Sequence, residues 1–427
     1  MLSIGLMSGT SMDGIDAALI FTDGVVGNIK ELGHSSLAYP NEFKLLLKAA
    51  EYSVRKFQGN MVLAQEYYPQ AVEDFLKHQL NLSNDLLLTK KKALNRYLIQ
   101  HGLACTLPAI IELSTDLHTQ VVQNLLAATQ HAPEQIAVAG YHGQTFFHQP
   151  KIKKSIIVGD AQRLANSLHI TVVNDFRSQD IAAGGQGAPL APLYHQALAV
   201  RDQILPVAIV NCGGVANVSL IFGKNHSEML AFDTGPGNGL IDQWVRKKTQ
   251  GSEHMDYNGK YGKVGKINEP VLAALYQAST RQQGQNYFSM APPKSLDAGD
   301  FQLIPEIESL SLEDGCATLE AFTADTIITG LQRLNLNLPQ RWILAGGGWH
   351  NPVILSELQS RLSAILKADP IIQTADQAGW NSQAMEAQIF AFLAVRSIQK
   401  LPISFPNTTG VANPLTGGSI FAPNLLQ

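Results

Sequence analysis

The sequence predicts an α/β fold of two related domains, and three observations carry that prediction. Residues 4–20, Ile4-Gly-Leu-Met-Ser-Gly-Thr-Ser-Met-Asp-Gly-Ile-Asp-Ala-Ala-Leu-Ile20, read as apolar strand, tight turn and second apolar strand. Two hydrophobic runs closed by such a turn form a β-hairpin. Much later, Val207-Ala-Ile-Val-Asn-Cys-Gly-Gly-Val-Ala-Asn-Val-Ser-Leu-Ile221 is a shortened echo of it, and an internal repeat implies two related domains. Finally, Arg341-Trp-Ile-Leu-Ala-Gly-Gly-Gly348 ends a strand in three glycines, and Asn351-Pro352 then starts a helix. With 427 residues the chain also exceeds what one hydrophobic core usually covers.

Composition narrows the function classes. Apolar residues make up 45% and charged residues 15%, well under the usual quarter, which suits a globular enzyme with much buried surface. Net charge is −4 and no Lys/Arg run exceeds the short Lys90-Lys91-Lys92, so nucleic-acid binding has no electrostatic support. Cys105, Cys212 and Cys316 are far apart and form no C-x-x-C pair, against a disulfide framework or structural zinc. No signal-peptide pattern opens the chain and no apolar run reaches spanning length, so a soluble cytoplasmic protein with no membrane partner is expected.

The intervening elements follow in order. Residues 41–130 read as mostly helical, with Phe43, Leu46, Leu47 and Ala50 on one face and Leu117, Val121 and Leu125 on another. Thr115 is read as an N-cap, with Asp116 in the first turn and Pro133 past the helix end. Strands are expected at Gln135–Ala139, Ser155–Val158 and Ile170–Val173, with a helix at Ala161–Leu168. The run Ala182-Ala-Gly-Gly-Gln-Gly-Ala-Pro189 breaks this pattern, as a hinge, a binding loop or a linker. Residues 245–315 read as loops and short helices, and a last helix starts near Asn381–Ser382 and runs through Phe390, Phe392 and Leu393.

Several of these places carry chemistry. The first turn offers Ser8, Thr10, Ser11, Asp13 and Asp16 among small residues, as a phosphate chain and its cation require. On spacing alone a phosphate site and a plain hairpin stand level. Asp233, in Phe232-Asp-Thr-Gly-Pro-Gly-Asn238, follows an apolar stretch and sits on a stiff turn. Such a carboxylate accepts a proton from a nucleophile or merely forms an Asx-turn. His142 and Gln144 follow one expected strand; Asp175, Arg177 and Asp180 follow another. That polar cluster suits a hydroxyl-rich sugar, although a structural histidine and a salt-bridged turn would use the same residues. Glu386 in the last helix reads equally as a helix-dipole partner. H-E-x-x-H, G-x-S-x-G and G-x-x-x-x-G-K-[ST] are all missing, so phosphate binding falls to the hairpins.

Together these motifs resemble the anhydro-N-acetylmuramic acid kinases of the sugar kinase, Hsp70 and actin superfamily. The resemblance runs through Gly5–Asp16, His142–Thr145, Asp175–Arg177, Asp180–Pro189, Phe232–Asn238, Pro292-Pro-Lys-Ser295 and Gly346–Gly348. It implies two RNase H-like, actin-like ATPase domains flanking a central cleft that closes over nucleotide and sugar. The implied domains are 1–185 with 405–427, carrying a helical insertion near 81–110, and 186–404. The implied reaction is ATP-dependent cleavage and phosphorylation of 1,6-anhydro-N-acetylmuramic acid, with Mg²⁺, in cell-wall recycling. Asp233 would be the base. Gly9, Thr10, Ser11, Met12, Asp13, Gly14, Ile15, Asp16, Gly213 and Gly214 would hold the phosphates, with Asp13 on the metal. Gly346, Gly347, Gly348 and Asn351 would lie against the adenosine. His142, Gln144, Asp175, Arg177, Asp180, Asn238 and Glu386 would hold the sugar. The resemblance also makes a homodimer plausible. Tyr141 stands where the family has a small residue and would narrow the sugar pocket. An ordinary hexose kinase and a non-transferring ATP-binding module are the alternative classes.

Overall fold

Leu2–Ser8 pairs antiparallel with Gly14–Thr22, Met7 facing Asp16, so the opening hairpin is present. The structure is a computed structural model that describes residues 1–9, 11–80, 82–279, 281–282, 285–296 and 299–424. Thr10 lies outside the described residues. The chain divides into one unit of residues 1–194, 383–404 and 411–427 and a second of residues 195–382 and 405–410.

In the first unit, Ile29–Ala38 extends the hairpin into an antiparallel meander, and Ile136–Gln149 joins the first strand in parallel. Val172–Asn174 pairs in parallel beyond it, Ser419–Phe421 closes the edge antiparallel, and Lys154–Val158 folds back on the far end of Ile136–Gln149. Strand side chains alternate between faces. Ile4 and Leu6 therefore point into a core with Phe43, Leu46 and Val121 of helices Asn41–Lys56 and Leu107–Thr129. Ser3 and Gly5 point the other way, where Ser3 Oγ donates to Ala391 O at 2.8 Å in helix Met385–Ile398.

That helix is buried nearly all round, and the sheet admits it through two glycines. A Cβ on Gly5 would lie 1.8 Å from Ala387 O, and one on Gly140 would lie 2.1 Å from Phe390 O. Backbone meets backbone there, so no side chain can yield.

The second unit repeats the plan. Val207–Cys212, Val215–Ile221 and Met229–Pro236 form the meander; Arg341–Ala345 and Ile371–Thr374 continue in parallel from its first strand. Trp342 and Phe232 of this sheet share a core with Trp244, Phe322 and Leu358, from helices Gly239–Lys248, Leu312–Gln332 and Pro352–Leu366. Both sheets thus follow an RNase H-like plan, a three-stranded meander with two strands added in parallel to its first member.

Several sequence expectations change. The expected strand Gln135–Ala139 runs on to Gln149, because Gln144 is paired with Ser8 on one side and Val158 on the other. His142 and Gln144 therefore lie inside a strand, not beyond its end. Thr115 is not an N-cap: the helix starts at Leu107, where Thr106 accepts from Ala109 N–H and Pro108 fits the first turn. Thr115 instead donates to Ile111 O at 2.9 Å and accepts from Asp160 N–H at 3.0 Å. Leu312–Gln332 is a long helix capped by Ser311, starting inside the stretch read as loops. It is buried on almost every side, so it shows no polar stripe to read. The last helix starts at Met385, and residues 383–404 belong to the first unit, not the second, because this apolar helix covers Gly5 and Gly140. Residues 405–410 go to the second unit, where Ala231 N–H donates to Asn407 O at 3.0 Å. The glycine run 182–189 lies within the first unit, since the division falls after Tyr194. Within 81–110, Asn84–Gln100 is a helix burying Leu94, Tyr97 and Leu98. Among the described residues no helix is long and apolar enough to cross a membrane.

Two predictions follow from this packing. Gly140→Ala is expected to destabilise the protein by about 1–3 kcal/mol in urea unfolding, because the added carbon displaces backbone; an unchanged midpoint would refute the close approach. The second concerns buried histidines. Burial pushes His118 and His195 down to about 4 and His142, also facing Arg177, down to about 3. The unfolded chain protonates these rings near pH 6.5, so their contribution is complete above about 6.5 and is lost as pH falls toward 4. The unfolding midpoint should drop across that window, less steeply in His118→Gln.

Candidate active site

In the first unit, the hairpin turn is braced from below by buried side chains. Ser8 Oγ donates to Gln144 Oε1 at 2.6 Å, and Gln144 Nε2 donates to Gly9 O at 3.1 Å. Tyr39 and Ser8 hydroxyls meet at 2.9 Å, while Tyr39 N–H donates to Asp13 O at 2.9 Å. Met12 closes the turn in the left-handed region (φ 55°), its N–H on Gly9 O at 3.0 Å. Ser11 and Asp13 are exposed on this turn, whereas Met12 and Ile15 are buried and so can offer only main chain. Asp13 pairs with Lys44, and that bond holds its carboxyl below the ordinary range.

Beside this turn a second group forms. His142 Nδ1 lies 2.8 Å from Gly143 O, and Arg177 Nη2 lies 3.1 Å from His142 Nε2. A guanidinium only donates, so Nε2 is the acceptor and the ring is the Nδ1–H tautomer. Arg177 Nη1 also donates to Gly187 O at 2.7 Å, and Asp180 Oδ1 accepts from Gly187 N–H at 2.6 Å. The glycine run is thus a loop clamped to Arg177 and Asp180, not a free linker. Asp175 takes a left-handed conformation (φ 56°) and accepts from Ser178 N–H at 3.2 Å. Glu386, in the first turn of Met385–Ile398, is exposed. The protein around it, then Asp16, pushes its carboxyl above the ordinary range, against the pull of Arg177. Asp16 itself accepts from Ser36 Oγ at 2.5 Å.

Thus Arg177, Asp16 and Glu386 converge, His142 is buried behind Arg177, and Gln144 and Asp180 are buried and brace neighbouring backbone. Tyr141 does not narrow a polar site. Its side chain points to the opposite, helical face, where its ring meets His118 at 4.8 Å and its hydroxyl would strike a Cβ on Gly159.

In the second unit, backbone does the bracing. Gly237 N–H donates to Gly214 O at 2.9 Å and Asn238 N–H to Gly213 O at 2.8 Å, locking the Gly213–Gly214 turn to the segment after Asp233. Asp233 is half-buried near the end of Met229–Pro236. Its N–H donates to Lys294 O at 3.0 Å and its Oδ2 accepts from Leu296 N–H at 2.7 Å, so the carboxylate is oriented from outside its own turn. The ammonium of Lys294 donates to Tyr287 O at 3.1 Å. Burial, then Arg333, pushes that ammonium down to about 8, against Asp233.

Gly346 has φ 92°, and Gly348 sits on Cys212, where a Cβ would lie 2.4 Å from Sγ. This turn feeds Asn351, which caps helix Pro352–Leu366 by accepting from Val353 N–H at 2.9 Å. A pocket of about 440 Å³ opens there, lined by Gly347, Gly348 and Asn351 with Asn238, Asp242 and Tyr257 among others. Burial lifts the Asp242 carboxyl to about 6, with Arg246 opposing. The pocket brings Asn238 together with the triple-glycine turn. Sequence reasoning missed its Asp242 and Tyr257 and the Lys294 beside Asp233. Asp242 lies one helical turn after Asn238, and Lys294 stood within the motif Pro292–Ser295, so both left a signal.

No group of three or more acidic, histidine or cysteine side chains among the described residues is arranged for a metal ion. A magnesium ion carried on phosphates needs only one or two protein carboxylates, and exposed Asp13 meets that need once Lys44 yields it.

The family model described as Anhydro-N-acetylmuramic acid kinase matches residues 1–90 and 88–423. A protein of that name from Rhizorhabdus wittichii is 40% identical over 423 residues, 99% of each chain. Others from Rhodopseudomonas palustris and Zymomonas mobilis are 37% and 36% identical, over 99% and 98% of this chain and 100% and 99% of their own. With matches spanning nearly every residue of both partners, this chain belongs to the anhydro-N-acetylmuramic acid kinase family.

Proposed function

We propose that the protein is an ATP-dependent kinase that opens 1,6-anhydro-N-acetylmuramic acid with water and phosphorylates O6. The products are N-acetylmuramic acid 6-phosphate and ADP, a step of cell-wall recycling in the cytoplasm. Its relatives' shared name supports the substrate, and the oriented carboxylate of Asp233 supports the chemistry.

Asp233 takes a proton from the water that attacks the anomeric carbon. The bond from that carbon to O6 breaks as the new C–O bond forms, and O6 takes the γ-phosphoryl group. The bridging β–γ oxygen leaves with ADP. A carboxylate held by Leu296 N–H keeps one orientation, so its basic lone pairs need no reorganisation at the moment of attack. Phosphoryl transfer needs positioning and charge neutralisation more than covalent help. Main-chain groups of Gly9–Asp16 and of Gly213–Gly214 supply positioning. Magnesium on the phosphates, near Asp13, would supply charge neutralisation.

The pocket beside Gly346–Gly348 and Asn351 takes the adenosine. Arg177 and Glu386 in the first unit and Asn238 in the second offer contacts to the sugar's hydroxyl and lactyl groups. His142 is fixed neutral as the Nδ1–H tautomer and delivers its effect through Arg177. Asp175, Asp180 and Gln144 act on the loops that carry these groups.

Asp233→Asn keeps shape and removes basicity, so kcat is expected to fall by roughly 10²–10⁴-fold with the fold intact by circular dichroism. An unchanged kcat would remove Asp233 from the base role. Mass spectrometry of the product tests the reaction itself. The anhydro sugar should gain both a phosphoryl group and one water, whereas an ordinary hexose kinase would phosphorylate open sugars and add no water.

A further inference from the structure

The pocket beside the triple-glycine turn has a wall whose shape depends on a buried carboxyl group outside the chemistry described above. Glu320 lies in the middle of helix Leu312–Gln332 and is fully buried. Its Oε1 accepts from Asn351 Nδ2 at 2.5 Å, while its Oε2 is buried without a hydrogen-bond donor. What faces Oε2 is another acid. Asp256, itself 5% exposed, accepts from Tyr261 N–H at 3.0 Å and from Gly262 N–H at 2.9 Å. Glu320 Oε2 presses on the same Gly262, where a Cβ would lie 1.7 Å away. Two carboxyl groups therefore meet over one glycine.

Two buried acceptors cannot face each other as anions; one must carry a proton and become a donor. We propose that Glu320 is a positioning residue: as a neutral acid it donates to Asp256 while accepting from Asn351, and so clasps the 255–262 segment to the cap of helix Pro352–Leu366. Asp256 is the acceptor of the pair because two backbone N–H groups already serve its oxygens. Burial and then Asp256 push Glu320 up to about 9. Of the other packed elements, Glu357 of helix Pro352–Leu366 adds negative charge in the same sense, while the cation Arg361 is engaged by Glu357 and Asp325. On its own helix, Cys316 one turn back is a neutral thiol, raised by burial.

The clasp matters because both of its ends are pocket wall. Asp256, Tyr257, Asn258 and Asn351 all line the cavity. Asn351 spends its oxygen on Val353 N–H and its amide on Glu320, so the proton on Glu320 fixes which way the amide points. Gly259 rests on the same amide, where a Cβ would lie 2.8 Å from Oδ1. This inference rests on the assignment of the pocket to the nucleotide.

The test compares Glu320→Gln with Glu320→Ala in the full-length protein, by calorimetric binding of ADP and by KM for ATP against kcat. Gln is a donor and an acceptor in the same shape at every pH, so Glu320→Gln should bind ADP within about twofold of the parent at pH 7.5. Glu320→Ala strands Asn351 and Asp256 and should weaken ADP binding and raise KM roughly tenfold or more, with kcat changed less. Glu320 is neutral below about 9 and ionises above it, so ADP affinity should fall as pH rises through about 9 in the parent. In Glu320→Gln that fall should be absent. Infrared difference spectra should show a protonated-carboxyl band at pH 7.5 in the parent that Glu320→Gln lacks, a readout that does not depend on the alanine variant folding. Equal pH dependence in parent and Glu320→Gln, or no such band, would overturn the proposal. ADP binding to neither protein would overturn the nucleotide assignment, and the band alone would then decide the clasp.

Discussion

Two backbone hydrogen bonds hold the second unit's site together: Gly237 N–H to Gly214 O and Asn238 N–H to Gly213 O. They join the tip of one hairpin to the exit of the strand that carries Asp233, so the turn and the proposed base cannot move independently. The join demands glycine, because a Cβ on Gly237 would lie 2.1 Å from Gly213 O. From the same junction Asn238 starts helix Gly239–Lys248, whose Asp242 reaches the pocket. The proposed base, phosphate turn and nucleotide wall thus share one rigid backbone origin, as electrostatic preorganisation requires.

The first unit reaches a comparable end by different means. Its hairpin has the same strand order, but its turn is held by Ser8, Tyr39 and Gln144. Buried polar chains of this kind are worth most when every member is satisfied. Gln144 spends both ends of its amide on the brace, which is why a residue that looked like a sugar ligand acts as support. Arg177 and Asp180 likewise spend themselves on Gly187, turning a glycine-rich run into a shaped loop.

How far the sequence could be read depended on whether the signal was local. The two hairpins, helix Ala161–Leu168 and the Asn351 cap all carry their instructions within a few residues, and each stands where the pattern placed it. Helix Leu107–Thr129 starts well before Thr115, at the cap Thr106-Leu-Pro supplies, and only packing shows that Thr115 faces Asp160. Helix Met385–Ile398 belongs to the first unit for a long-range reason. Its acceptor is a pair of glycines in strands hundreds of residues earlier, and nothing near the helix names them. The site divides in the same way. Asp233, His142, Arg177 and the glycine turns stand in recognisable strings. Glu320 sits in a helix with no polar stripe, and its partners come from two other segments.

The two bracing schemes differ in what each site can tolerate. A side-chain brace can be loosened a little at a time, since Tyr39 or Ser8 can lose a hydroxyl and leave the backbone path unchanged. A backbone brace has no such intermediate setting: any side chain at Gly237 strikes a carbonyl, and the turn must move as a whole. The unit that carries Asp233 uses the second kind. If Asp233 is the base proposed above, that rigidity matters, because a misplacement of about 1 Å in a reacting group costs rate steeply. The unit that carries Arg177 and Glu386 uses the first kind. The same strand plan is thus supported in two ways, by main chain around Asp233 and by side chains under the first hairpin turn.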